Sequence, residues 1–476
     1  MQFVKIYAML LFIGVLLFSC SKKEEVEEVI ELSDFMIEVH SDFLLSTQKG
    51  YYLFSNDKGN IISEGILENG KKYAIPSSEG SSIHFTYILT TPDIQRTTIV
   101  ANTFLNIEVS NSLILHKALN GSNAFPDVGE IKGQAKVNID CFGGINYITI
   151  ATQSNALFSL PDNSYPKQLG LFATEEEALA IRSTESTPTS ANQFEYAIKN
   201  ISIDRENTFV CSDFTDATNV MKSIQVDVSG TRNIGTGGIT LSAIPNNFIP
   251  PRPLYLFGQI DFRSFDFSNS QTSTLWYMKD WIKSKREYMS ITSQTYEYTS
   301  NNEVKKVYQQ YNHGLYPPPS TLRLEIPAAS IEIIHNKNKS VITQEGEQFI
   351  GTVVYQPRRS RETNNKIYAW ALNFSGEEKN IEWTFPTLSS QMRSHLEIEE
   401  NIFEKEIIPI AKYMSINEEY KDYNEYIKTV FKPYKVILYK APLEWKVRYN
   451  ITEYILDEGG IIYPYEINYL KNNGFK

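Results

Sequence analysis

Short apolar runs that alternate with polar residues dominate the chain from Phe35 onward. Within residues 83–89 the apolar side chains fall on one face of such a run and His84 and Thr86 fall on the other. The apolar members are Ile83, Phe85, Tyr87 and Leu89. Mixed alternation also runs through Thr97 to Val109. Period-two alternation is typical of half-buried strands, so the pattern predicts a mainly β protein.

Two polar segments between apolar runs predict hairpin loops. Ser55 to Asn60 is rich in residues that accept a positive φ, and it separates two apolar runs. Ser375 to Lys379 separates Ile367 to Phe374 from Asn380 to Phe385 in the same way. Each segment therefore predicts a pair of adjacent antiparallel strands.

Helical patterns interrupt the β pattern in two places. Thr174 and Glu177 match a capping box, which predicts a short helix over Thr174 to Arg182. Ser389 to Phe431 predicts one or two helices packed on the β part: Ser415 and Glu418 match a second capping box. The residues that recur there at helical spacing are Tyr420, Tyr423 and Ile427.

Length and composition favour several β domains. A chain of 476 residues exceeds one compact core, and an aromatic share of 13% suits pleated strands. We predict tandem antiparallel β-sandwich domains with a mixed, partly helical C-terminal region. The predicted divisions are a signal peptide (1–19), a lipidated tether (20–34), two β-sandwich modules (35–119 and 125–244), and a β-rich domain (254–476) with helices around 389–431.

The N-terminus has the order of a secretory signal. Met1 to Lys5 carries a short positive start, Ile6 to Leu17 is apolar, and a small residue precedes Cys20. A membrane-spanning helix is the alternative, but it needs about 20 apolar residues. The charges from Lys22 to Glu25 end the run before that length.

The segment Leu17-Phe18-Ser19-Cys20 resembles the lipobox of bacterial lipoproteins. Phe18 departs from the pattern, in which a smaller residue is commoner. The resemblance implies that Cys20 becomes the first residue of the mature chain and carries diacylglycerol and acyl chains such as palmitate. Two or more acyl chains hold a protein stably on a membrane, so the resemblance implies an anchored protein.

The segment Ser21-Lys22-Lys23-Glu24-Glu25 resembles the export signal of surface-exposed lipoproteins of the Bacteroidetes. That resemblance implies display at the outer face of the outer membrane, with Lys22, Lys23, Glu24 and Glu25 as the signal. The alternative is a charged, solvated tether, with the protein on the periplasmic face.

Residues 35–250 resemble the tandem immunoglobulin-like or transthyretin-like modules of Bacteroidetes surface lipoproteins. Two short stretches, Ile99 to Thr103 and Gln134 to Ile139, are similar to segments of fimbrillin-type proteins. These stretches imply an adhesive relative.

The charge balance and the cysteines restrict partners and cofactors. A net charge of −11 argues against nucleic acid as a partner, because binding it requires a basic surface.

Cys141 and Cys211 would lie beyond the inner membrane, where disulfides can persist. They form either a disulfide bond or two buried free thiols. The chain has no CxxC or Cys/His cluster with metal spacing, so no metal site and no cofactor are predicted.

Catalytic motifs are absent from the sequence. It contains no GxSxG elbow and no HExxH, and the glycines from Gly230 to Gly238 lack the Lys-Ser/Thr ending of a phosphate-binding loop. The prediction is therefore that the protein is not an enzyme. A hydrolase whose site is assembled from distant residues is a further alternative.

Three close aromatic residues, Trp276, Tyr277 and Trp281, give a hint of ligand binding. Flat aromatic rings provide contact area for a glycan. At helical spacing Tyr277 and Trp281 would share one face, and a core stripe is the alternative. Side-chain exposure separates the two interpretations.

The leading prediction is a lipid-anchored, cell-surface protein with a non-enzymatic role in binding, adhesion or envelope structure. The alternative is a glycan-binding accessory protein of a polysaccharide-uptake system. The expected partners are the membrane, through the lipid, and a glycan or protein ligand.

Overall fold

The computed structural model describes the chain in segments that begin at residue 36. The described residues are 36–74, 82–93, 97–108, 112–116, 119, 132–141, 143–145, 147–152, 156–159, 167–171, 173–185, 188–227, 229, 236–244, 263–266, 272–279, 288–298, 300, 304–346, 350–357, 366–398, 407–417, 422–431 and 445–455.

Strands make up most of the described residues. They are β1 (Met36–Val39), β2 (Lys49–Ser55), β3 (Ile61–Leu67), β4 (Lys72–Ala74), β5 (Ser82–Pro92), β6 (Thr97–Glu108), β7 (Leu113–Leu115), β8 (Gly133–Asp140), β9 (Tyr147–Ala151), β10 (Ala156–Ser159), β11 (Lys167–Leu171), β12 (Glu175–Ser183), β13 (Phe194–Ser202), β14 (Glu206–Val210), β15 (Thr215–Asp216), β16 (Met221–Asp227), β17 (Thr236–Ile244), β18 (Arg263–Asp266), β19 (Thr272–Met278), β20 (Tyr288–Tyr298), β21 (Val304–Leu315), β22 (Thr321–Arg323), β23 (Ala329–Asn336), β24 (Lys339–Gly346), β25 (Ile350–Pro357), β26 (Lys366–Ser375), β27 (Asn380–Thr384), β28 (Ile407–Asn417) and β29 (Lys446–Tyr454).

Helices are few in the described part of the chain. They are α1 (Ser390–Leu396), α2 (Tyr423–Val430), and two short 3-10 turns at Ala191–Gln193 and Cys211–Asp213. The predicted fold class, mainly β with a partly helical C-terminal region, is confirmed. The sheets are mostly antiparallel, with parallel pairs such as β6 with β26 and β8 with β14.

A twelve-stranded sheet organises the molecule. Its order is β18-β17-β20-β21-β29-β28-β25-β26-β6-β5-β2-β3. Strands from residues 49–108 and strands from residues 236–454 lie side by side in it, and the parallel pair β26 and β6 joins the two sets. The predicted division into domains stays a prediction.

Near its β3 end, the large sheet is packed on both faces. One face contacts the sheet β23-β24-β27 and α1 through a core that includes Trp370, Trp383 and Met392. The other face contacts β1, β4, β7 and α2 through Phe85, Phe104 and neighbouring apolar side chains. This end of the molecule is therefore a three-layer structure whose middle layer is the large sheet.

Residues 133–216 form a separate sandwich of two smaller sheets. These are β11-β8-β14 and β10-β9-β12-β13-β15. Their shared core consists of side chains from this segment alone, among them Val137, Ile150 and Phe209. The outer face of β12 and β13 packs against the sheet β19-β16-β22 through Leu179, Phe194 and other side chains.

Two local predictions from the hydrophobic pattern are confirmed. The runs around residues 83–89 and 97–108 are the paired strands β5 and β6. Residues 56–60 form the predicted loop between β2 and β3. In that loop the Asn56 carboxamide oxygen accepts from the backbone N–H groups of Lys58 and Asn60, and Gly59 adopts a φ of +76°.

Three local predictions are wrong. Thr174 to Arg182 is mostly the strand β12, because Ala178 to Ile181 are buried on both faces between neighbouring strands. Ser375 to Lys379 is not a hairpin loop, since β26 pairs with β25 and β6 whereas β27 pairs with β24 in the facing sheet. Ser415 lies within β28 and caps no helix.

Candidate functional site

The predicted aromatic cluster lies in the core as far as the structure describes it. Trp276 and Tyr277 are on strand β19, not on a helix, and their exposed fractions are 7% and 6%. The Trp276 indole N–H donates to the Pro188 carbonyl oxygen at 3.0 Å, and its ring lies 5.4 Å from the ring of Phe194. These two rings therefore do not form a solvent-facing contact surface. Trp281 lies outside the described residues.

Cys141 and Cys211 form a disulfide bond. Their Cα atoms are 5.0 Å apart, and the bond connects the end of β8 to the turn that follows β14. The Arg182 guanidinium donates to the Cys141 sulfur and lies 4.2 Å above the Phe214 ring. The free-thiol alternative therefore does not describe this structure. Disulfides persist in oxidising compartments outside the cytoplasm.

The residues of the predicted anchor and export signal lie outside the described residues. They are Cys20, Lys22, Lys23, Glu24 and Glu25. Among the helices that the structure describes, none has the length and apolar character needed to cross a membrane. The described part also holds no group of three or more His, Cys, Asp or Glu side chains placed to bind a metal ion.

A serine and a histidine lie within hydrogen-bond distance at the β23–β24 hairpin. His335 Nδ1 lies 2.6 Å from Ser340 Oγ. A nucleophile must reach its substrate, but Ser340 is fully buried and has no access to solvent. Tyr355 packs 5.5 Å from the His335 ring on the inner side. The pair is therefore a structural hydrogen bond of the hairpin.

A second histidine pair connects the loop between β2 and β3 to strands β5 and β6 of the large sheet. His84 Nε2 lies 2.9 Å from Asp57 Oδ1, and His84 Nδ1 accepts the backbone N–H of Asn106 at 3.1 Å. This assigns the proton to Nε2. Burial lowers the pKa of His84, and the Asp57 carboxylate opposes that effect. Both ring nitrogens are already used, which leaves the imidazole in a structural role.

A polar surface lies on one face of the large sheet, on strands β20, β21, β29 and β28. The strand registers align residues across it in three rows. In the order β20, β21, β29, β28, the amide row is Gln294, Gln309, Asn450 and Ser415, the tyrosine row is Tyr296, Val307, Thr452 and Tyr413, and the arginine row is Thr292, Tyr311, Arg448 and Asn417. Tyr298 and Tyr454 extend the tyrosine row along β20 and β29. We call this surface the tyrosine-amide face.

Exposure varies along this face. All four members of the amide row are half-buried, and Tyr298 is 42% exposed. On the opposite face of the same strands, Ser293, Thr295 and Gln310 are buried. The Gln310 carboxamide bonds the backbone of Arg323 and Glu325, whose segment covers that side. On the tyrosine-amide face, Val307 and Thr452 are buried as well, with exposed fractions of 5% and 3%, so this face is open to solvent only in part.

Hydrogen bonds hold several of its side chains in place. The Tyr311 hydroxyl donates to Gln309 Oε1 at 3.0 Å, and the Arg448 guanidinium lies 5.5 Å from the Tyr311 ring centre. With its amide oriented to satisfy both ends, Asn450 donates to Ser415 Oγ at 2.9 Å and accepts from Arg448 Nη2 at 3.2 Å. These contacts fix the orientation of donors and acceptors before any ligand arrives.

Tyr296 and Tyr454 of this face remain protonated at neutral pH. Burial raises the pKa of Tyr296, and the neighbouring Tyr298 raises it further. Burial also raises the pKa of Tyr454, with a smaller contribution from Tyr296. The Tyr296 and Tyr298 rings stack with centroids 6.2 Å apart and planes inclined by 30°. The face therefore combines neutral hydroxyl groups with ring surfaces.

The sequence analysis did not identify this surface. Its signal is a period-two series of tyrosine and amide side chains in the segments 292–298 and 307–311. A series of that kind indicates one face of one strand. The rows arise only when β20, β21, β29 and β28 pair in register, and β28 and β29 follow β21 by about a hundred residues or more.

Comparison with known proteins gives no family. Neither the models of known protein families nor the curated proteins match this chain.

Proposed function

We propose that this protein is a lipoprotein anchored through Cys20 at the outer membrane and displayed at the cell surface, with a non-enzymatic binding role. The lipobox-like segment ending at Cys20 and the export-like segment Lys22 to Glu25 support the anchor and the display. The disulfide between Cys141 and Cys211 agrees with an oxidising location outside the cytoplasm.

The observation that carries the binding role is the tyrosine-amide face. Its four-strand rows place fixed amide and hydroxyl groups beside half-exposed aromatic rings. Aromatic rings with one apolar and one polar end are typical of binding surfaces, because they offer contact area at low cost in conformational entropy. On an anchored protein, such a face would contact material outside the cell.

The anchor is tested by metabolic labelling of cells with a palmitate analogue. The wild-type protein should incorporate the label, and the Cys20→Ala variant should not, because the acylated sulfur is absent. A Cys141→Ala/Cys211→Ala variant is the matched control, since it removes the other cysteines and should keep the label. Equal labelling of wild type and Cys20→Ala would refute the anchor.

Display is tested by protease treatment of intact cells. The wild-type protein should be cleaved, whereas a variant with Lys22 to Glu25 replaced by alanine should be protected behind the outer membrane. Both should be cleaved equally after lysis. If the variant is cleaved on intact cells as fast as wild type, the four charges are a tether and not an export signal.

A further inference from the structure

We infer that the tyrosine-amide face binds a neutral polysaccharide chain. This inference rests on the proposed binding function and names its ligand class. Trp276 and Tyr277 are buried on β19, which belongs to a smaller sheet. The proposed glycan contacts are therefore a different set of side chains, on the large sheet.

The chemistry of the amide row suits sugar hydroxyl groups. Each carboxamide offers both donors and an acceptor, and a hydroxyl group needs one of each. Gln294, Gln309 and Asn450 are aligned across three adjacent strands, and all three residues are half-buried. Asn450 is already oriented by Ser415 and Arg448, which reduces the entropy lost when a ligand binds.

The tyrosine row supplies the apolar part of such a site. A sugar ring has one apolar face, which packs on an aromatic ring, while its hydroxyl groups point outward. Tyr296 and Tyr298 stack beside the amide row, and Tyr298 is 42% exposed. The two rings therefore lie at the β20 end of the amide row, where one unit of a bound chain can pack on them while the next units reach the amides.

The dimensions and the charge of the face favour a polymer without charge. Neighbouring strands are about 4.8 Å apart, close to the length of one sugar unit in an extended chain, so four strands fit roughly three or four units. Of the twelve residues in the three rows, Arg448 has the single formal charge. The charged pairs Lys306 with Glu453 and Lys412 with Glu453, each at 3.4 Å, lie on the opposite face of the same strands. An acidic polymer would meet one cation on a chain whose net charge is −11.

The test is native affinity electrophoresis of the full-length protein in detergent. The gels contain hydroxyethylcellulose, galactomannan or soluble starch as neutral probes, and polygalacturonate as the acidic probe. Wild type should be retarded by at least one neutral probe. The Gln309→Ala/Asn450→Ala variant should bind that probe about 30-fold more weakly, because the two lost amide hydrogen bonds together contribute on the order of 2 kcal/mol.

The matched control is Gln225→Ala, which removes an exposed amide from β16 in a different sheet. It should be retarded as wild type is. Thermal unfolding confirms that each variant folds, and Tyr298→Ala, at an exposed position, provides a second variant if the double variant does not fold. Tyr298→Ala should also weaken retardation.

Three results would overturn the inference. They are no retardation by any neutral probe, equal retardation of wild type and face variants, and retardation by polygalacturonate alone. Where the second of these results comes with a change from dimer to monomer in the face variants, the face belongs to a second copy of the chain. Labelling at Cys20 and cleavage on intact cells would remain unaffected, so failure here is distinguishable from failure of the anchored, displayed protein.

Discussion

At the scale of single residues, His84 couples the stability of the large sheet to pH. The imidazole is 3% exposed, and its Nδ1 accepts the N–H of Asn106, which adopts a φ of +51° next to the bulge between β5 and β6. A proton on Nδ1 would face that N–H and break the bond. Glu378 bonds the Asn106 amide from the loop after β26, and the edge of the Trp383 ring covers the imidazole.

The sign of the pH effect follows from the lowered pKa of His84. Burial makes the folded-state pKa lower than the unfolded value of about 6.5, so the unfolded chain takes up the proton first as pH falls. The stabilisation is complete above pH 6.5 and is lost below it. We expect the drop in unfolding free energy between pH 7.5 and 5.5 to be smaller by about 1 kcal/mol in His84→Gln than in wild type.

Urea unfolding at the two pH values measures this difference for both proteins. The comparison uses the change with pH, so a general loss of stability in His84→Gln does not affect it. Gln225→Ala, which replaces an exposed amide on another sheet, should retain the wild-type change. An identical change in His84→Gln and wild type would contradict the prediction.

The disulfide between Cys141 and Cys211 is a second feature, at the scale of single residues, that affects stability. It closes a loop with a sequence separation of 70, which restricts the unfolded chain. In the chain-entropy model, Cys141→Ala/Cys211→Ala should lower the unfolding free energy of the 133–216 sandwich by about 4 kcal/mol. Chemical unfolding followed by a local fluorescent probe measures this, and dithiothreitol should bring wild type to the level of the variant. If the unfolding free energies of reduced wild type and the variant differ, the alanine substitutions themselves change the stability.

At the scale of elements, α2 shows how a short helix is held by one cap and one buried face. The Asp422 carboxylate accepts the Glu425 backbone N–H at 2.8 Å, and Ile427 is 2% exposed in the core beneath the helix. We expect Asp422→Ala to cost about 1 kcal/mol and Ile427→Ala about 2–5 kcal/mol of unfolding free energy. Lys428→Ala, at an exposed position of the same helix, should change stability little. Guanidinium unfolding of the three variants checks this order, and a loss in Lys428→Ala equal to that in Ile427→Ala would contradict it.

Elements were predictable from the sequence where one strand face is apolar or where a turn has distinctive residues. β5, β6 and the 56–60 loop follow from such local signals. β12 was predicted as a helix because both its faces are buried, so its apolar residues do not alternate, and its Thr-x-x-Glu start imitates a cap. The arrangement of β26 and β27 in facing sheets was not predictable, because the choice of partner strands depends on β6 and β24, which are distant in sequence from the loop.

The tyrosine-amide face was not predictable from the sequence for the same reason, because its residues come from strands that are distant in sequence. Tyr296 and Gln294 are visible as alternate residues of one strand, but Asn450 joins them only through two further strands. Conversely, the close spacing of Trp276 and Tyr277 along the sequence says nothing about exposure, and adjacent strands bury both rings. Proximity in sequence was therefore a poor guide to the binding surface.

At the scale of the whole molecule, the large sheet makes the N-terminal strands dependent on the C-terminal ones. Trp370 of β26 donates from its indole N–H to Thr103 Oγ1 of β6 at 2.8 Å, and the two strands are paired along eight positions. The core on one side of β2, β5 and β6 requires Trp370, Trp383 and Met392, and the core on the other side requires Ile427. By contrast, the inner core of the 133–216 sandwich is complete within its own segment.

This difference predicts unequal behaviour of two isolated fragments. A fragment of residues 35–119 should fail to unfold cooperatively, because it leaves one face of its sheet uncovered, lacks α2 over the other face and leaves β6 without its parallel partner. A fragment of residues 125–227, which keeps both sandwich sheets and the disulfide, should show a cooperative thermal transition. Circular dichroism and calorimetry on the two fragments distinguish these outcomes. A cooperative transition in 35–119 would instead make the first predicted module an independent domain, and the continuous sheet would then be a contact between two domains that fold separately.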